Sequence, residues 1–111
     1  MLTYEIEGKT IEVLFTLDAI DALDHVYTVD MKGIKFGAGI QFAFTALEQA
    51  SPVAIANVLQ AVQVGTKTRV GKKAIMNFLI ENDNVEEVAN ALAEELKKQP
   101  LTKTTVKRMA V

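Results

Sequence analysis

The chain has no cysteine, one histidine, one serine and two prolines among its 111 residues. Without cysteine there is no disulfide to staple the fold and no thiolate nucleophile, a composition suited to a reducing compartment. Ser51 and His25 are the only serine and histidine, and no nucleophile elbow surrounds Ser51, which is better read as a helix cap. Asp21 and His25, four apart, supply at most half a metal site, and no second histidine or cysteine completes it. A solvated Asp–His pair on one helix face is the simpler reading. Charge of one sign is lacking as well. Twelve basic residues stand against 14 acidic ones, a net charge of −2, so bulk electrostatics selects no partner. The N-terminal stretch 1–7 has neither the basic region nor the apolar core of a signal peptide. These absences predict no catalytic residue, no metal and no cofactor, and a protein that is not an enzyme.

Glycine-rich loops fall short of nucleotide sites. Between Gly65 and Gly71 lie five residues where a phosphate-binding loop has four, and Lys73 stands where a hydroxyl must reach magnesium. Gly33, Gly37 and Gly39 lack the dinucleotide spacing, and conformational freedom where a helix begins accounts for them more simply. Lys67, Arg69, Lys72 and Lys73 gather positive charge, but no aromatic is interleaved for stacking on bases. A small nucleic-acid-binding regulator using 67–73 is therefore the alternative reading, with nucleic acid the less favoured partner.

What is present in quantity is apolar helix. Residues 37–64 carry one formal charge, Glu48, and 17 of the 28 are apolar. Ser51 as N-cap with Pro52 at the first helical position divides the run into two helices. Polar residues from Gln41 to Gln63 interrupt every window long enough to span a bilayer, so a soluble protein with no membrane partner is expected. A helix apolar most of the way round must be buried in a core or against another protein. Phe42 and Phe44 stand about 200° apart on such a helix, so one core does not easily take both. Either one of them faces a partner or both lie between the other elements.

Before that run, Leu2, Tyr4 and Ile6 alternate with polar residues, as do Ile11, Val13 and Phe15, predicting a β-hairpin with a Gly8-Lys9 turn of type II′. That register places Ile6 opposite Ile11 and Glu5 opposite Glu12. Thr16 caps a helix with an apolar stripe of Leu17, Ile20, Leu23 and Tyr27. Residues 26–36 read as a connection with a short extended piece near 34–36. After 64, a helix over 71–82 is expected, then one over 85–98 opened by an Asn84–Glu87 capping box and stopped by Pro100. Residues 101–111 read as a mobile basic tail beyond a single domain of residues 1–100. The predicted fold class is α+β, mainly α: an N-terminal hairpin on a bundle of four to five helices.

The order of these features resembles a known family. The hairpin around Gly8-Lys9, the run Phe15-Thr-Leu-Asp-Ala-Ile-Asp-Ala-Leu-Asp24, the segment Gly33-Ile-Lys-Phe-Gly-Ala-Gly39, the Ser51-Pro52 start and an acidic helix closing on Pro100-Leu-Thr102 are similar to the tail assembly chaperones of long-tailed bacteriophages of Gram-positive hosts. The similarity runs over about residues 3–102. It implies a chaperone of the host cytoplasm, absent from the mature virion, that binds the tape measure protein, keeps it soluble and helps tail tube protein assemble around it. It also implies, in many members, a frameshifted longer form. A few surplus apolar side chains on the helices would suffice for assembly or client binding, so self-association is expected. The residues expected to meet a partner are Phe36, Ile40, Phe42, Phe44, Leu47, Val58, Val62, Met76 and Phe78.

Overall fold

The computed structural model describes residues 1–109. Strands β1 (Thr3–Ile6) and β2 (Lys9–Glu12) form an antiparallel hairpin, followed by α1 (Leu17–Val26). A second antiparallel hairpin, β3 (Thr28–Met31) and β4 (Ile34–Gly37), leads into α2 (Gly39–Glu48), α3 (Pro52–Ala61), α4 (Lys72–Asn82), α5 (Val85–Lys98) and α6 (Lys103–Met109). This is the α+β, mainly helical fold that the sequence predicts, with a further hairpin and a further helix.

The two apolar helices lie at the centre. α2 packs on α1, α3, α5 and α6, and α3 packs on α1, α2, α4 and α5. Ile40, Ala43, Phe44 and Leu47 from α2 and Ala54, Ile55, Val58 and Leu59 from α3 are buried there. The first hairpin adds Ile6, Ile11, Val13 and Phe15 to the same core, and Tyr4 meets Phe78 of α4 edge-on with ring centres 5.9 Å apart. Burial, reinforced by the negative charges of Glu87 and Glu95, pushes the Tyr4 hydroxyl up to about 12.

The hairpin register differs from the expected one. Tyr4 pairs with Ile11 and Ile6 with Lys9, closing on a Glu7-Gly8 turn with both residues at positive φ, the type I′ geometry. Type I′ matches the right-handed twist of the strands, and Gly8 takes its second position. Pairing is displaced by two residues, which leaves every side chain on its expected face because the period is two. Glu5 consequently faces Thr10, whose hydroxyl donates to it, and not Glu12.

In α1 the Thr16 hydroxyl accepts from the Ala19 amide at 3.1 Å, the expected cap. Leu17, expected on the inner stripe, is exposed, and Ala19 occupies the core side with Leu23. The Ser51 cap and Pro52 start of α3 form as expected. The Asn84 capping box does not. Asp83 adopts a left-handed conformation and Asn84 lies at φ −123°, ψ 27°, outside the extended region from which a cap side chain reaches the first turn. Its side-chain oxygen is buried without a partner among the described residues.

The largest departure is at the C-terminus. Residues 103–109, expected as part of a mobile tail, form α6 against α2 and α5 with Val106 buried. Fully buried Thr102 turns the chain by donating its hydroxyl to the Leu96 carbonyl at 2.7 Å. Residues 110 and 111 of that expected tail lie outside the described residues.

One local strain is removable. α2 ends in a Schellman motif: Ser51 N–H donates to the Ala46 carbonyl at 3.1 Å and Ala50 N–H to the Leu47 carbonyl at 2.9 Å. The residue in the left-handed position is Ala50, at φ 56°, where glycine carries no Cβ penalty. Ala50→Gly should therefore stabilise the chain by about 0.5–1 kcal/mol, read as a higher midpoint in denaturant titration at unchanged slope. An unchanged or lower midpoint would show that the position bears no strain.

Candidate protein-binding surfaces

The sequence of the second hairpin, Thr28-Val-Asp-Met-Lys-Gly-Ile-Lys-Phe-Gly37, alternates apolar and polar residues on both sides of Lys32-Gly33. Lys32 and Gly33 sit at φ 54° and 81°, a type I′ turn, and the Asp30 carboxylate accepts from the Gly33 amide at 3.1 Å. Val29 pairs with Phe36 and Met31 with Ile34, so all four apolar side chains share one face; Thr28, Asp30, Lys35 and Gly37 share the other. Gly37 lies against α1, where a Cβ would come within 2.5 Å of the Asp24 Cβ. The apolar face is left open: Met31, Ile34 and Phe36 are 61%, 59% and 51% exposed. Soluble domains seldom leave such side chains grouped in the open unless something binds there.

The base of the hairpin is braced. Ala38 N–H donates to the Tyr27 carbonyl at 2.8 Å, and the Thr28 hydroxyl to the Asp24 carbonyl at 2.9 Å. Tyr27 stacks on Phe42 of α2 with centroids 6.1 Å apart and planes 18° from parallel, and its hydroxyl accepts from Asn57 of α3 at 3.1 Å. Phe42 is 49% exposed. An apolar aromatic ledge therefore adjoins an apolar hairpin face on a supported frame.

A second uncovered surface is a groove of about 840 Å³ between α3, α4 and the start of α5. Val53, Met76 and Ile80 line it with large exposed faces, and Lys72, Lys73 and Asp83 stand at its edges.

Of the nine residues expected at a partner surface, the structure puts Phe36, Phe42 and Met76 outside. Ile40, Phe44, Leu47, Val58 and Val62 are buried, so they build the core and are not on the surface. Phe78 is partly buried against Tyr4. The pair Phe42 and Phe44 divides as their 200° separation allows, one out and one in. Met31, Ile34, Val53 and Ile80 were not anticipated; the alternation over residues 28–37 was the signal for the first two. Gly37 and Gly39 serve the close approach of β4 and α2 to α1, not conformational freedom, since neither has positive φ.

Polar candidates divide differently. The Arg69 guanidinium folds back onto the Thr66 and Thr68 carbonyls at 2.6 and 2.8 Å, so it is engaged within its own loop. His25 Nδ1 lies 2.8 Å from the Asp21 carbonyl and 3.8 Å from its carboxylate, both side chains in solvent. The hydrogen bond to the Asp21 carbonyl, then its carboxylate, raises the imidazole above its ordinary value. Among the described residues no group of three or more His, Cys, Asp or Glu is placed to hold a metal ion, and no helix is long and apolar enough to cross a membrane.

Two exposed apolar surfaces thus lie on a small, well-packed helical frame. The family model described as phage tail assembly chaperone protein, TAC, matches residues 3–110, nearly the whole length, and the chain belongs to that family. The match takes in α6. A search of curated proteins and a search of solved structures each returned no match.

Proposed function

We propose that this chain is a non-catalytic chaperone that binds apolar helical segments of the tape measure protein, keeps them soluble and promotes assembly of tail tube protein around them. Its place of action is the host bacterial cytoplasm, before the virion is complete. The observation that carries this reading is the uncovered apolar face of the β3–β4 hairpin beside Tyr27 and Phe42. An amphipathic client helix laid on that face would bury Met31, Ile34, Phe36 and Phe42 together, and each large side chain removed from water contributes about 1.5–3 kcal/mol before the cost of association. Family membership supports the tail-assembly setting.

Co-expression with tape measure fragments tests it. The chain should hold an apolar fragment in the soluble fraction and copurify with it, while Phe36→Ser combined with Phe42→Ser should weaken capture by at least about tenfold. Both side chains are half exposed, so the double variant should retain the helical circular-dichroism spectrum. Fragments that stay insoluble, or a double variant that captures as well as the parent, would overturn the reading.

A further inference from the structure

We propose that the groove between α2 and α6 is a docking site for an acidic amphipathic helix of a partner protein. Charge is unevenly distributed along the chain. Residues 97–109 hold five basic side chains and no acidic one, whereas residues 1–96 hold seven basic and 14 acidic ones. Because α6 packs on α2 and α5, that basic segment lies folded against the body, beside an apolar surface.

The groove has a volume of about 820 Å³. Phe44, Val106 and Met109 give it an apolar floor, and Lys97, Lys103 and Lys107 stand on its α5 and α6 side. Lys97 already has partners: its ammonium lies 3.1 Å from the Glu94 carboxylate and 5.8 Å from the centre of the Phe44 ring. Lys103 and Lys107 have no acidic partner among the described residues. Lys107 suits the negative end of α6, but Lys103 lies in the first turn, where a cation works against the helix dipole. Helix stability therefore does not account for Lys103, and an anion seated over the groove does.

Spacing and charge select the occupant. Lys103 and Lys107 are about one turn apart, roughly 6 Å along the axis at ~1.5 Å per residue. Carboxylates four residues apart on a second helix have the same spacing, and apolar side chains three residues after each share their face, toward the floor. Glu48, the acidic residue of the lining, stands on the α2 side and faces the uncharged flank of such a helix. A nucleic acid fits less well. Its phosphates would run past Glu48, and Phe44, 7% exposed beneath Lys97, offers no open face for a base to stack on.

Fluorescence anisotropy of the full chain with a labelled synthetic helix tests the site. The probe has about 18 residues, enough to be helical in water, with glutamates four apart and a leucine three residues after each. It should bind with an affinity that falls as salt rises. Lys103→Gln combined with Lys107→Gln should weaken binding by at least about tenfold. Both side chains are exposed and glutamine keeps the helix propensity, so the circular-dichroism spectrum should not change. The two single variants repeat the test should the double variant lose helix. A probe with serine for leucine should bind at least about tenfold more weakly as well. Phe36→Ser with Phe42→Ser should bind the probe as the parent does, because the groove shares no residue with the hairpin ledge; this result and client capture are therefore separable. No binding at about 1 mM probe would overturn the proposal. So would equal binding of a probe with glutamine for glutamate, of the serine probe or of a single-stranded oligonucleotide of equal charge, or lysine variants that bind as the parent does.

Discussion

Gly39→Ala should lower the thermal unfolding midpoint of the chain by roughly 10 °C or more. A Cβ at this position would lie 2.5 Å from the Leu23 carbonyl carbon and 2.6 Å from the Asp24 nitrogen, both backbone atoms of α1 that no rotamer change can move aside. Overpacking of this kind costs about 1–3 kcal/mol, and more where backbone must shift. A second loss follows. α2 has no cap of its own, because Ala38 precedes it, and the Asp24 carboxylate accepts from the Gly39 amide at 2.8 Å in place of one. Separating α1 from α2 forfeits that bond too, worth about 1 kcal/mol. The combined loss of about 2–4 kcal/mol is a large share of the 5–15 kcal/mol that hold a typical domain. Thermal unfolding followed by circular dichroism reads it directly. Asp24→Ala separates the parts, since it removes the cap without the clash and should cost only about 1 kcal/mol. A Gly39→Ala chain melting within a degree or two of the parent would show that the α1–α2 crossing yields easily.

Gln99→Ala should be comparably damaging for a polar reason. The buried Gln99 amide acts as a short piece of strand: its nitrogen donates to the Val13 carbonyl at 2.8 Å, and its oxygen accepts from the Phe15 amide at 2.8 Å. It also donates to Glu95 at 2.9 Å. Burial works against ionising Glu95, but hydrogen bonds from Lys98 and Gln99 outweigh it and hold that carboxyl below its ordinary range. Alanine would leave a buried carbonyl and a buried N–H unpaired, at about 1–3 kcal/mol each, or roughly 2–6 kcal/mol together. Urea titration should show a lower midpoint, and amide exchange at Phe15 should accelerate. If Phe15 stays protected in the variant, water or another group replaces the amide and the assignment fails.

The sequence exposes its helices well because their signals are local. Thr16, Ser51 with Pro52, and Pro100 mark boundaries by chemistry that needs no tertiary partner. The first hairpin is legible for a related reason: alternation assigns its faces whatever the turn, so a mistaken turn type displaces the pairing yet leaves Ile6, Ile11 and Val13 inward. α6 is not legible. Its seven residues carry two threonines in the first turn and little apolar period, and the packing of Val106 against the body decides its structure. The surface suffers from the same limit. Which residues of the 37–64 run are surplus depends on how many elements arrive to cover it, and an unforeseen α6 packs against α2. Ile40, Phe44 and Leu47 thus became core. From α2, the helical angle says only that Phe42 and Phe44 do not easily share one core, not which of them lies outside. Residues 28–37 were legible in principle, but Asp30, Lys32 and Gly33 give the stretch a loop-like composition that masks the alternation around them.

The Gln99 amide also has a consequence in time. Phe15 and Gln99 are 84 residues apart. At a synthesis rate of ~5–20 residues per second, roughly 4–17 seconds separate their emergence from the ribosome. Through that interval the Val13 carbonyl and Phe15 amide lack their final partner, while α1, α2 and α3 meet neighbours close in sequence. The β1–β2 strands, which leave the ribosome before the helices, are thus among the last parts of this domain to be locked, and a nascent chain can assemble α1, α2 and α3 before the segment at Val13 and Phe15 is fastened to Gln99.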